Sequence, residues 1–274
     1  MVDAGAAGEW RLGDIAVRRL GFGAKRLPLD RDRAIAVLRR AVELGVNHID
    51  TASFYPNDAP PGLANQLIRQ ALAPYPDDLV IATKVGPLDE GLARPDQLRG
   101  LVEANLRELG LDQLDVVNLR QAGLDSVAEH VGELAQLRAE GLIRQLGLSN
   151  VRPAHLAQAQ AIAPVVCVQN RYAVDFGRVN DDLLRTCGEQ AIAFVPFFAL
   201  AGEGREAGGV ADTEAVREVA RAHDATPAQV RLAWILHRGP HVLAIPGTSH
   251  VEHLAENVAA GALRLSAEEL ARLE

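Results

Sequence analysis

Cysteine is nearly absent: Cys167 and Cys187 are the two in 274 residues. That is too few for a disulfide framework, and the strand-like and helix-like surroundings of the pair suit buried thiols in a reducing compartment. Long hydrophobic runs are missing as well. The longest, AIAFVPFFALA (191–201), falls far short of the roughly 20 residues that span a bilayer, and it contains Pro196. Positive charge is in deficit, with a net charge of -8 and a pI near 5.5. This balance argues against nucleic-acid and membrane partners, whose binders carry clustered Lys and Arg, and it requires any anionic ligand to be held locally. The opening MVDAGAAGEW has no basic region followed by an apolar stretch, so no signal peptide is expected and a soluble cytoplasmic protein is. Metal-ligating patterns are lacking too. The eight histidines are scattered, and the one helically spaced pair, His250 and His253, has neither an HExxH glutamate nor neighbouring cysteines, so no metal is expected.

What is present is a large apolar fraction, 48%, with no linker dividing the chain. One domain over residues 1–274 is expected, large enough for a single barrel. EWRLGDIAVRRL reads as a hairpin turning at Gly13 and Asp14, placed to plug the bottom of such a barrel. After it, eight short apolar runs recur at 20–23, 48–52, 79–84, 114–119, 144–149, 165–170, 193–197 and 242–246. Between them lie helix-period segments, as in Ala34, Val37, Leu38, Ala41 and Val42 ahead of Gly45. Continuous apolar strands alternating with helices mean a parallel sheet covered on its outside, and a closed (β/α)₈ TIM barrel is the economical α/β fold. Thr226 with Pro227 and Gln229, Ser249 with Glu252, and Ser266 with Glu269 carry capping-box spacing, and residues 212–223 predict an extra helix.

In that fold the C-terminal strand ends carry function. Asp50 closes the second run and Lys84 the third, Arg120 follows the fourth, and Tyr55 lies five residues past Asp50. A free phenol holds its proton with a pKa of about 10, and a neighbouring ammonium stabilises the phenolate, while a carboxylate fixes the lysine and keeps it charged. The combination points to reduction of a carbonyl with Tyr55 as the acid. Singly, Asp50 and Lys84 also fit a structural ion pair, and Tyr55 an ordinary loop aromatic. GFG at 21–23 lacks the third glycine of a dinucleotide fingerprint, and Glu43 falls on a helix rather than at a strand end, so a Rossmann reading fails.

NHIDTASFY, TKVG, GLSN (147–150), VQN (168–170) and IPGTSHVEHLAENV (245–258) together resemble the aldo-keto reductases, in the right order over nearly the entire chain. The resemblance implies reduction of a small aldehyde or ketone, with hydride from a nicotinamide cofactor, NADP(H) or NAD(H), and with Asp50, Tyr55 and Lys84 as the catalytic set. It implies that Ser149, Asn150 and Gln169 hold the carboxamide and that Phe197 stacks on the nicotinamide ring. Gly23, Phe198, Leu200, Gly202, Gly247, Thr248, Ser249, His253, Glu256 and Asn257 are the further cofactor positions. From the residues alone, Ser149 or Asn150 also suits the start of a helix, and Phe197 and Phe198 suit the core. The helix opening past the eighth run makes an anion site, and the glycine-rich residues 202–209 with Arg205 look like a flap over the pyrophosphate, with a plain flexible connection as the alternative.

Two departures stand out against that resemblance. NADP(H)-dependent members carry a lysine and an arginine where this chain has Gly247 and His253, which leaves the choice between the cofactors open. DVVNLR puts Arg120 where most members place a histidine, a variant similar to a bacterial subgroup that includes pyridoxal reductases. Arginine is always charged and grips bidentately, so the expected substrate presents an anionic or strongly accepting oxygen beside its carbonyl, unless Arg120 pairs with Asp125 instead. The short tail after the Ser266 helix implies an open pocket. A monomer is expected. The alternatives from other functional classes are a Schiff-base aldolase using Lys84 and a non-catalytic cofactor-binding sensor on the same fold.

Overall fold

The computed structural model describes residues 2–55, 59–88, 91–176, 178–200 and 212–274. In chain order the strands are β1 (Glu9–Leu12), β2 (Ile15–Arg18), β3 (Phe22–Gly23), β4 (His48–Asp50), β5 (Val80–Val85), β6 (Pro87–Leu88), β7 (Gly91–Leu92), β8 (Leu114–Arg120), β9 (Ile143–Ser149), β10 (Val165–Gln169) and β11 (Ala193–Phe194). The α-helices are α1 (Arg31–Glu43), α2 (Leu63–Leu72), α3 (Leu98–Leu109), α4 (Ala128–Ala139), α5 (Pro153–Gln160), α6 (Asp181–Glu189), α7 (Glu214–Ala222), α8 (Pro227–His237), α9 (Val251–Ala259) and α10 (Ala267–Arg272).

Seven strands form one parallel sheet in the order β3, β4, β5, β8, β9, β10, β11. The eighth run closes it with single bridges, Val242 to Phe194 and Ala244 to Leu20, both parallel. The protein is thus an α/β barrel. All six residues of β5 are buried, as expected for a strand with core on one face and helices on the other. The seventh run pairs as a ladder only at Ala193 and Phe194, because Pro196 has no N–H to donate. The Phe197 N–H regains the neighbouring strand through Asn170 O at 3.1 Å.

β1 and β2 form the expected hairpin, turning at Gly13 with φ of 65°. Leu12, Ile15 and Val17 pack into one cluster with the barrel residues Val80, Ala82, Val116, Val166, Ala193, Val195 and Leu243. The plug therefore seals the N-terminal end of the strands and leaves the opposite rim for chemistry. A second, small hairpin of β6 and β7 follows β5 and had no signature in the sequence.

The capping boxes of α8 and α10 form at Thr226 with Gln229 and Ser266 with Glu269. The one expected at Ser249 does not. Helix α9 starts at Val251 with His250 as its N-cap, and the His250 N–H is taken by Thr248 Oγ1 at 3.1 Å, so Ser249 lies ahead of the helix.

Candidate active site

Side chains two residues apart on a strand share a face, so Asp50 on β4 and Lys84 on β5 both point inward at the rim. Lys84 Nζ donates to Asp50 Oδ2 at 2.5 Å and to the Thr51 carbonyl at 3.1 Å. Lys84 is 2% exposed and Asp50 4%. Burial pushes the Lys84 ammonium toward a lower pKa. The Asp50 charge and hydrogen bond, with the Tyr55 phenol beside them, outweigh that and the opposing Arg120 charge, and hold the pKa above the ordinary lysine value. The ammonium lies 5.1 Å from the Tyr55 ring centroid. Tyr55 is itself buried, and its ring meets Phe54 edge-on at 5.0 Å.

The other oxygen of Asp50 accepts from Gln169 Nε2 at 2.7 Å. Gln169 and Ser149 are register partners on β10 and β9, and Gln169 Oε1 and Ser149 Oγ are both buried with no hydrogen-bond partner among the described residues. A buried polar atom left unpaired is costly, so the pair calls for a ligand offering a donor and an acceptor side by side. A carboxamide has that chemistry, and the donor set fits a nicotinamide. Asn150, by contrast, turns left-handed just after β9, with φ of 60°. Its Nδ2 donates to Gln121 O at 3.1 Å, and it lines a separate cavity of about 460 Å³ with Asp125 and Arg152. The structure thus brings Ser149 and Gln169 together and sets the Asn150 side chain apart from them.

A cavity of about 310 Å³ opens over the Lys84 site, lined by Asp50, Tyr55, Lys84, Arg120, Phe197, Phe198, Leu200 and Gly23 among others. The Arg120 guanidinium sits 5.2 Å from the Phe197 ring centroid. Among the described residues Arg120 forms no ion pair, and Asp125 lines the other cavity, so the pairing between them that the sequence left open is not formed. Phe197 and Phe198 meet edge-on at 5.3 Å, with Lys25 4.8 Å from the centre of the Phe198 ring. Lys25, Arg26, Phe54 and Pro246 also line this cavity and were not singled out in the sequence. Position was the available signal: Lys25 and Arg26 lie within three residues of the end of β3, where a barrel displays its rim.

A further cavity, of about 580 Å³, contains Gly247, Thr248, Ser249, His253, Glu256 and Asn257. Arg26, Leu200 and Gly247 border both spaces, so the two cavities meet at this waist. A Cβ on Gly247 would fall 2.4 Å from Gly23 O and 3.7 Å from Arg26 Cβ. No side chain fits there, and the Arg26 side chain leaves the backbone beside that point. Gly202 and Arg205 lie outside the described residues.

Comparison with known proteins gives the family and the fold. The family model described as Aldo/keto reductase family matches residues 19–274. Pyridoxine 4-dehydrogenase of Escherichia coli is 43% identical over 290 residues, covering 98% of this chain and 98% of that protein. An uncharacterized oxidoreductase of Schizosaccharomyces pombe is 38% identical over 100% of this chain and 91% of its own length. Among solved structures, an aldo/keto reductase from Klebsiella pneumoniae in complex with NADP and acetate is similar with a TM-score of 0.81 at 32% identity, over 94% of this chain and 90% of that one.

Proposed function

We propose that this chain, which belongs to the aldo/keto reductase family and is therefore a nicotinamide-dependent oxidoreductase, reduces a small aldehyde or ketone with Tyr55 as proton donor. The carrying observation is the buried Lys84 ammonium, 2.5 Å from the Asp50 carboxylate and facing the Tyr55 ring at the cavity floor. When bound, the cofactor supplies the hydride. Ser149 and Gln169 hold its carboxamide, Phe197 flanks its ring, and Arg26, Leu200 and Gly247 border the passage to the adenosine end at Thr248, Ser249, His253 and Asn257. NADP(H) is the proposed form, because NADP occupies the similar Klebsiella enzyme and because Arg26 and His253 line the adenosine end.

Proton transfer follows from the chain's own groups. The Tyr55 hydroxyl donates to the carbonyl oxygen, and the charge left on the phenolate is met by the Lys84 ammonium. Asp50 keeps that ammonium charged, and the same upward pKa displacement speaks against Lys84 as an amine nucleophile. Arg120 offers its guanidinium fork to a second oxygen near the carbonyl, which supports substrates with an anionic or strongly accepting neighbour group. Lys25 and Arg26 add positive charge at the mouth, against the single carboxylate Asp50 among the lining residues. An aromatic aldehyde beside an ionisable hydroxyl, such as pyridoxal, fits this description, and the name of the E. coli relative is in keeping with it.

The test follows nicotinamide absorbance over a panel of acidic, hydroxyl-bearing and neutral aldehydes with both cofactors. Tyr55→Phe is expected to lower kcat by a factor on the order of 10² to 10⁴ while cofactor affinity holds, since it removes only the general acid. Arg120→Gln is expected to lose preference for the aldehydes with an accepting neighbour. Full turnover in Tyr55→Phe would remove the mechanism, and unchanged discrimination in Arg120→Gln would remove the substrate class. A protein that binds NADP(H) and turns over no aldehyde would be a sensor.

A further inference from the structure

Outside the barrel wall, behind the catalytic rim, lies a connected set of polar side chains that take no direct part in the reaction. Asn105 on α3 accepts from Thr83 Oγ1 at 2.6 Å and from Asn65 Nδ2 at 2.9 Å, and donates to Leu101 O at 2.8 Å. Asn65 on α2 accepts from Thr51 Oγ1 at 2.8 Å and donates also to Glu108 Oε2 at 2.7 Å. The remaining oxygen of Glu108 accepts from Ser53 Oγ at 2.7 Å. Thr51, Asn65, Thr83 and Asn105 are each at most 1% exposed.

These contacts end on Thr51, Ser53 and Thr83, the sequence neighbours of the residues that carry the chemistry. Thr83 immediately precedes Lys84, and Thr51 immediately follows Asp50. Thr51 is tied from both sides, by its hydroxyl to Asn65 outside the wall and by its carbonyl to Lys84 Nζ inside. Ser53 lies two residues before Tyr55 on the loop that follows β4. That loop is further tied to the start of α2, because Gly62 N donates to Ser53 O at 2.5 Å and Ala64 N to Tyr55 O at 3.2 Å. Gly62 is left-handed, and a Cβ on it would fall 2.7 Å from the Glu108 carboxylate, so the loop and the acid are in direct contact.

Apolar side chains of similar volume would hold two helices against two strands at least as firmly, because buried polar groups gain little net stability. What a hydrogen-bonded set adds is direction: each donated hydrogen has its own acceptor, and small shifts break the pairing. We infer that Asn65 and Asn105 are positioning residues for carbonyl reduction, a hub between α2 and α3 that fixes the Tyr55 loop and the Lys84 strand relative to each other. The inference rests on the reductase reading, with Asn105 acting through Thr83 on Lys84 and Asn65 acting through Thr51 and Glu108 on the Tyr55 loop. Misplacement of reacting groups by an ångström can cost about a hundredfold in rate, so the hub is where such precision is set.

The experiment uses near-isosteric pairs that keep the core filled. Thr83→Val and Thr51→Val each delete the hydroxyl, while Thr83→Ser and Thr51→Ser keep it. The Val variants are expected to lose kcat by about ten- to a hundredfold with cofactor Kd unchanged by fluorescence quenching, and the Ser variants to regain most of it. Because Lys25 and Lys84 are the only lysines in the sequence, lysine-selective NMR labelling with Lys25→Arg for assignment reads the Lys84 ammonium without any turnover. Its signal is expected to move in the Val variants and to stay in the Ser variants. Val variants with native kcat, or with a loss that Ser does not recover, or with an unmoved Lys84 signal, would make the hub structural only and overturn the inference. If the unaltered protein turns over no carbonyl, the reductase reading fails, and the Lys84 signal still decides whether the hub positions that side chain.

Discussion

His48 is the residue whose burial is hardest to reconcile with stability. It lies two positions before Asp50 on the same strand face and is 3% exposed, and among the described residues neither ring nitrogen has a well-formed hydrogen bond, the Arg18 backbone being the polar group beside it. Its ring fills the space over Gly21, where a Cβ would come within 2.2 Å of it, so position 21 must be glycine. Burial pushes the imidazole down to about 4, with the Asp50 charge and the Arg18 backbone pulling the other way. The unfolded chain takes up a proton near pH 6.5 that the folded protein refuses until about pH 4. Stability is therefore lost as pH falls through that window, by about 3 kcal/mol for this group at roughly 1.4 kcal/mol per pH unit. His48→Leu removes the titration. Urea unfolding at about pH 7 and pH 4 should show a smaller acid loss in the variant by that order, and equal losses would mean that another group carries the acid sensitivity.

At the scale of elements, the helices illustrate how much a cap specifies. Ser266 Oγ accepts from Glu269 N at 3.2 Å, and Glu269 Oε2 accepts from Ser266 N at 2.7 Å, the reciprocal pair that starts α10. Ser266→Ala is expected to cost about 1 kcal/mol in chemical unfolding and to leave cofactor affinity untouched, since α10 lines neither cavity. Weakened cofactor binding in that variant would show that the C-terminal helix is coupled to the site. Helix α9 behaves otherwise. The same spacing at Ser249 and Glu252 produces no box, because Thr248 takes the His250 N–H and the helix begins one residue later than that box requires. Ser249 is left lining the second cavity, where the proposed function puts the adenosine end of the cofactor.

For the molecule as a whole, closure joins the two ends of the chain. Ala244 N donates to Arg19 O and Gly21 N to Ala244 O, each at 2.8 Å, and Arg19 Nη2 donates to Gly239 O at 2.7 Å. With the first and last strands bonded and the plug packed under them, the barrel is expected to unfold in one calorimetric transition. NADPH at a hundredfold excess over its Kd adds about 2.7 kcal/mol, which should raise the whole transition by about 5 °C. Two separately shifting transitions would show that the chain is not one unit. Much of this was legible beforehand: the eight apolar runs, the plug and the rim positions of Asp50, Lys84 and Arg120 follow from period and order along the chain, which burial on two faces imposes locally. Other features were not. Whether Arg120 pairs with Asp125 or faces the cavity, which way Asn150 turns, and how Arg26 comes to stand beside Gly247 depend on side chains far apart in sequence meeting at a curved rim. A linear pattern records which face a residue prefers, whereas the partner it meets across the barrel is set by strand stagger and close packing, and those exist only once the sheet has closed.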